Sequence, residues 1–124
     1  MRLEYFGIRV TDLDRSVKFY TGLMRLKELR RGKMSHGGLY VVLVDNETKQ
    51  QLELNWYPQD SKYNVPYSPG EGLDHLGFRV DNARETFRNF VKQGVGPAIE
   101  PWNEDGTWVG YLKDPDGNWI EIYS

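Results

Sequence analysis

Tyr5-Phe6-Gly7-Ile8-Arg9-Val10 lies over His75-Leu76-Gly77-Phe78-Arg79-Val80 at an offset of 70 residues, with Gly, Arg and Val coincident. A match at fixed spacing marks an internal repeat, and a repeat decides the architecture before any single element does. The segments after the two copies match as well. Thr11 or Asp12 begins a helix whose apolar positions are Leu13, Val17, Tyr20 and Leu23 or Met24, stopping near Gly22, and Asn82 begins another through Ala83, Phe87, Phe90 and Val91. Asn82 with Glu85 three positions on forms a capping-box pattern, and Gly94 supplies the left-handed residue that ends that helix.

Short β-patterned stretches come after each helix, at 27–31, 39–44 and 51–56 in the first copy and at 98–101, 107–112 and 118–123 in the second. Asp114-Pro115-Asp116-Gly117 joins the last two, with Pro preset for a turn and Gly free to take positive φ, and Asp45-Asn46-Glu47 holds the same place in the first copy. Leu52-Glu53-Leu54 then overlies Ile120-Glu121-Ile122 at an offset of 68, which agrees with 70 after a small change in loop length. The pattern predicts an α+β fold of two βαβββ repeats forming a curved mixed sheet or cup with helices outside. It is a single domain over 1–124, with repeat one at 1–57, a linker rich in Pro, Gly and Tyr at 58–72, and repeat two at 73–124.

At 124 residues and 39% apolar composition the chain suits one globular domain. Its 16 basic and 18 acidic residues are spread along the whole length, so no basic block exists to track a phosphate backbone and nucleic acid is excluded as a partner. No apolar run approaches the ~20 residues of a membrane span. The N-terminus enters a strand pattern at once, leaving no room for a signal peptide, and the expectation is a soluble cytoplasmic protein. The absence of cysteine excludes disulfides, thiolate metal ligands and a Cys nucleophile.

Side chains alternate faces along a strand. In the first strand Phe6, Ile8 and Val10 must meet the helix, which leaves Tyr5 and Arg9 on the concave side, and the same parity places His75 and Arg79 there. In the closing strands Leu52, Leu54, Ile120 and Ile122 belong under helices, turning Gln51, Glu53 and Asn55, and Trp119, Glu121 and Tyr123, the other way. A carboxylate between strand apolars destabilises the fold if buried unpaired, so two at equivalent places point to a common partner, either a cation or an arginine. The constellation is Tyr5 and Glu53 from one half and His75 and Glu121 from the other, oxygen donors plus one imidazole, which suits Zn, Ni, Co, Mn or Fe(II). The plain alternative is that Glu53 and Glu121 pair with Arg9 and Arg79, that His75 is an ordinary strand histidine, and that His36, beside Gly37-Gly38, is a solvent-exposed loop residue.

With these residues in place the chain resembles the vicinal oxygen chelate superfamily (glyoxalase, bleomycin resistance, dioxygenase), and in motif bacterial glyoxalase I. The resemblance spans the whole chain: Arg2-Leu3-Glu4-Tyr5 through Arg9-Val10-Thr11-Asp12-Leu13-Asp14-Arg15-Ser16 and Phe19-Tyr20, then Leu52-Glu53-Leu54, Asp74-His75-Leu76-Gly77 and Asp114-Pro115-Asp116-Gly117 through Ile120-Glu121. It implies that Glu53, His75 and Glu121 are metal ligands, that Arg9 meets a carboxylate of the thiol cofactor, and that the protein is a homodimer. Two positions depart from the family pattern. Tyr5 stands where the first ligand is His or Gln, and a phenol, with reference pKa near 10, is a poor donor at neutral pH unless a metal ionises it. Tyr57 stands where an Asn contacts glutathione, although Asn55 is nearby on the inward face.

The function expected is a metal-dependent lyase or isomerase of the glyoxalase I type, acting on a small oxygenated substrate by enediolate proton transfer. Glu121 is the expected base, and Arg9, Asn55, Arg79, Trp119 and Tyr123 the expected substrate contacts. Two alternatives come from other classes: a metal-free small-molecule binding protein of the bleomycin-resistance kind, favoured by Tyr5, and an Fe(II) dioxygenase, opposed because only His75 of the two histidines stands at a ligand position.

Overall fold

The computed structural model describes residues 4–66 and 68–124; Arg2 and Leu3 of the opening motif and Tyr67 of the linker lie outside the described residues. The chain divides into two compact units, Met1–Pro66 and Tyr67–Ser124. The first runs β1 (Tyr5–Arg9), α1 (Leu13–Gly22), β2 (Lys27–Lys33), β3 (Leu39–Val44) and β4 (Gln51–Trp56), and the second β5 (His75–Arg79), α2 (Ala83–Lys92), β6 (Gly96–Glu104), β7 (Thr107–Lys113) and β8 (Trp119–Tyr123). Both are βαβββ. Each forms a four-stranded mixed sheet of the same topology, β1-β4-β3-β2 in one and β5-β8-β7-β6 in the other, with the outer β1 and β5 parallel to their neighbours and the remaining pairs antiparallel. The repeat and the α+β class expected from sequence are therefore present, and β2 and β6 run beyond the stretches expected for them.

The helices begin where short polar side chains replace missing intrahelical partners. Asp12 accepts from the Arg15 amide at 3.0 Å, and Asn82 accepts from the Glu85 amide at 3.1 Å. Gly94 ends α2 at φ 89°, and Arg25 adopts the corresponding left-handed conformation after α1, at φ 58°. Hydrogen bonds explain why the offset drifts. The Leu26 amide reaches back to the Tyr20 carbonyl where Val95 reaches the Phe90 carbonyl, and the Asp45 amide reaches the Gln50 carbonyl where Asp114 reaches Asn118. In both cases the second copy closes one residue sooner, which reduces 70 to 68.

α1 packs on β3 and β4, and α2 on β6, β7 and β8. Strand alternation supplies the sheet side of each core: Ile8, Val10, Val41, Leu43, Leu52 and Leu54 in the first unit and Leu112, Ile120 and Ile122 in the second are buried. Phe6 shares this parity but, at the start of its strand, is exposed. The helix faces depart from the simple spacing. α1 buries Ser16, Phe19 and Tyr20, and Val17 is only half-buried. α2 buries Ala83 and Phe87 but leaves Val91 exposed. At ~100° per residue Val91 sits about 80° around the helix from Ala83, at the rim of the apolar stripe.

Gly110 on β7 is fixed by close packing. A Cβ there would stand 2.9 Å from Pro101 Cγ and 3.2 and 3.3 Å from the Pro101 backbone on β6. Because backbone cannot yield as a flexible side chain can, Gly110→Ala is expected to lower stability by about 1–3 kcal/mol, measured by urea denaturation.

The turn after β3 carries a titratable lock. Asp45 Oδ1 accepts from the Thr48 and Glu47 amides, each at 2.8 Å. The Thr48 amide above all holds the carboxyl below its usual range, with burial working the other way. A folded pKa below the unfolded one means that Asp45 adds stability above the unfolded value, about 3.9, and loses it as pH falls through the folded value. Asn keeps the acceptor but not the charge. The stability gap between wild type and Asp45→Asn is expected to be open at about pH 6 and to narrow as pH falls below about 3.9 in urea titrations. The second copy repeats the hydrogen bonds: Asp114 Oδ1 accepts from the Asp116 and Asn118 amides, and its Oδ2 accepts from the Asn118 side chain at 2.9 Å.

Candidate functional site

The parallel pairing of β1 with β4 sets Gly7 opposite Glu53, and that of β5 with β8 sets Gly77 opposite Glu121. Tyr5 and His75 therefore each stand two residues before the partner of a glutamate, on the same face of their own sheet. The register places the same pair of positions together in both units; only the residue types differ.

In the second unit the pair is in contact. His75 Nε2 lies 2.7 Å from Glu121 Oε2, with the His75 side chain 32% and the Glu121 side chain 20% exposed. The other ring nitrogen, Nδ1, lies 2.6 Å from Asp74 Oδ1. A neutral imidazole has one N–H and can donate to one carboxylate only. Both ring nitrogens of His75 are engaged directly by carboxylate oxygens. A carboxylate on one ring nitrogen, as Asp74 stands to Nδ1, is also the means by which metal-binding histidines are oriented. The donor chemistry of an imidazole and a carboxylate is of the kind that suits a borderline divalent ion. A set of three or more His, Asp or Glu able to hold a metal ion is not formed among the described residues.

Around the pair stands an aromatic wall in which Trp119 was expected from sequence and Tyr111 and Trp102 were not. The Tyr111 hydroxyl on β7 donates to Glu121 Oε2 at 3.2 Å. Its ring meets His75 edge-on at 5.4 Å, Trp119 at 5.4 Å and, in a stacked arrangement, Trp102 at 6.0 Å. Burial first, and then the charge of Glu121, push the Tyr111 phenol above its ordinary value, so it remains a donor. The signal was available: counting outward from the Asp114 to Gly117 turn pairs Tyr111 directly with Glu121.

In the first unit Glu53 is half-buried and Tyr5 is 44% exposed. Asn55 lies opposite Arg9, and its Nδ2 would stand 3.3 Å from a Cβ at Gly7, so the amide lies over the glycine. Arg9 donates to the Val65 carbonyl, a contact between β1 and the linker. Arg79, exposed, lies opposite Tyr123 at the end of β5. His36 is exposed, as its loop position suggested, and packs against Tyr63 at 4.3 Å and Tyr57 at 5.9 Å.

Comparison with known proteins decides the lineage: the family described as Glyoxalase/Bleomycin resistance protein/Dioxygenase superfamily matches residues 2–122. The chain belongs to this superfamily. Within it, the chain is 30% identical over 129 aligned residues to the lactoylglutathione lyase of Salmonella typhimurium, covering 98% of this chain and 91% of that protein. It is 31% identical to the lactoylglutathione lyase of Escherichia coli O157:H7, with the same coverage. Among solved structures, the trypanothione-dependent glyoxalase I of Leishmania major superposes with a TM-score of 0.78 at 29% identity over 98% of this chain and 86% of that one. Glyoxalase I from Zea mays superposes with a TM-score of 0.79 at 27% identity, and this chain spans 44% of its length. The superfamily resemblance carried by the doubled strand motifs is thereby established. No helix among the described residues is long and apolar enough to cross a membrane.

Proposed function

We propose that this chain is a metal-dependent lyase or isomerase of the glyoxalase I type, moving a proton between adjacent carbons of a small oxygenated substrate through an enediolate. The observation that carries the reading is the His75–Glu121 contact at 2.7 Å, on a chain 30% identical to a lactoylglutathione lyase. His75 and Glu121 are proposed to hold the ion, with Glu53 as a third ligand on the strength of its equivalent place in the repeat. Tyr5 is the candidate fourth. Zn, Ni, Co, Mn and Fe(II) all suit the donors, and the bound ion supplies Lewis-acid stabilisation of negative charge on the substrate.

Glu121 is the proposed base. Its carboxylate takes the proton from the carbon beside the carbonyl and returns it to the neighbouring carbon, so the step neither consumes nor releases protons. The Glu121 side chain is 20% exposed and accepts from the Tyr111 hydroxyl. Arg9, Asn55, Arg79, Trp119 and Tyr123 are proposed as substrate contacts, with the guanidinium groups suited to a carboxylate on a thiol cofactor. Assembly as a homodimer belongs to the same proposal.

The test is formation of lactoylglutathione from its hemithioacetal by protein reconstituted with Ni, Zn, Co or Mn. Turnover that appears with metal and disappears with chelator is expected; turnover unaffected by chelator contradicts the reading. The aromatic wall of Trp102, Tyr111 and Trp119 favours a second reading, metal-free binding of a flat ligand. Quenching of tryptophan fluorescence by planar ligands in the presence of chelator supports that alternative, and quenching that needs metal opposes it.

A further inference from the structure

The two repeats present their glutamates at the same register but not with the same neighbour. Across the antiparallel pair of β3 and β4 the residue facing Glu53 is Val42, whereas across β7 and β8 the residue facing Glu121 is Tyr111. An aromatic needed only to fill that place would serve either repeat. At this ladder position a hydroxyl stands beside Glu121, the carboxylate assigned the proton transfer above, and a valine beside Glu53, assigned as a ligand alone.

Geometry makes the hydroxyl a fixed point. Tyr111 and Glu121 are direct partners in the ladder, so their side chains leave the sheet side by side. Trp102 stacks on the Tyr111 ring and Trp119 tilts against it, leaving the phenol little freedom to swing. Its donor contact goes to Oε2, the same oxygen that faces His75 Nε2. One glutamate oxygen is thus located by two groups from two different strands, and the long Glu side chain loses the rotamers that would carry it away from His75.

We propose that Tyr111 is a positioning residue for Glu121, its hydroxyl holding the carboxylate at the place where it serves as ligand and base; this rests on the reading under Proposed function. Removing the hydroxyl while keeping the ring leaves the wall intact and frees the carboxylate. An outer partner of a metal ligand contributes about 10- to 100-fold in metal affinity.

The experiment is calorimetric titration of the full chain with Ni(II), with thermal unfolding of each protein measured alongside, for wild type, Tyr111→Phe, Tyr111→Leu and His75→Ala. Tyr111→Phe is expected to weaken Ni(II) about tenfold at an unchanged Tm. Tyr111→Leu, which also removes the ring, is expected to lower Tm as well. Wild-type affinity in Tyr111→Phe overturns the positioning role, and so does a Tm that falls in step with affinity, since that assigns Tyr111 to packing. His75→Ala separates the two failures. If it abolishes Ni(II) binding while Tyr111→Phe leaves binding unchanged, the metal reading stands and only the Tyr111 inference falls. If wild type takes up no Ni(II), or His75→Ala binds as wild type does, the metal reading falls and takes the inference with it.

Discussion

Glu121→Gln is expected to lower kcat/KM for thioester formation by about 10²- to 10⁴-fold while leaving the fold intact, because general-base catalysis contributes on that scale. The substitution keeps side-chain length, and its amide oxygen can still accept from Tyr111, so the wall of Trp102, Tyr111 and Trp119 has no reason to rearrange. It removes the capacity to take a proton. It also replaces a charged donor facing His75 by a neutral one, so metal affinity is expected to fall with the rate. Steady-state kinetics at saturating metal separate the two effects: a kcat that stays low once metal is restored assigns Glu121 to proton transfer, and a rate within about threefold of wild type removes it from that role.

Tyr20→Ala is expected to have the largest effect on stability. Tyr20 is fully buried at the end of α1, with its ring edge-on to Phe19 at 5.1 Å and its carbonyl receiving the Leu26 amide as the chain leaves the helix. Truncating an enclosed aromatic destabilises by about 3–5 kcal/mol through lost burial and the cavity left behind. Against a total stability of about 5–15 kcal/mol this brings the domain close to unfolding at moderate temperature. Val91→Ala on α2 is the matched control. Val91 is exposed, and its truncation is expected to cost no more than about 0.5 kcal/mol. Urea denaturation followed by tryptophan fluorescence measures both; a similar midpoint shift in the two variants contradicts this picture of the core.

The fold was legible because it rests on local patterns that occur twice. Alternation in Tyr5 to Val10 and His75 to Val80 assigns faces without knowledge of partners, and Asp12, Asn82 and Gly94 mark helix ends by their own chemistry. The positive φ of Arg25 was not legible, since an arginine carries no sign of a left-handed conformation that the surrounding turn imposes. Val91 departs from its expected face because spacing alone gives a stripe without its edges, and Ser16 and Phe19 escape that spacing for the same reason.

The site divided along a similar line. His75 and Glu121 could be paired from parity within one repeat, and the structure brings them together. Tyr111 required the hairpin register to be followed across the turn, one step beyond face assignment. The contact of Arg9 with the Val65 carbonyl joins a strand to an aperiodic linker, and nothing in the composition of residues 58–72 announces it.

Metal content after reconstitution tests the central claim most directly. The protein, incubated with Ni, Zn, Co or Mn and then dialysed, is expected to retain roughly one ion for each His75–Glu121 pair, the occupancy of a single catalytic site. Retention below about a tenth of an equivalent for all four ions, from protein whose circular dichroism shows it folded, contradicts the claim that this imidazole and carboxylate form part of a metal centre.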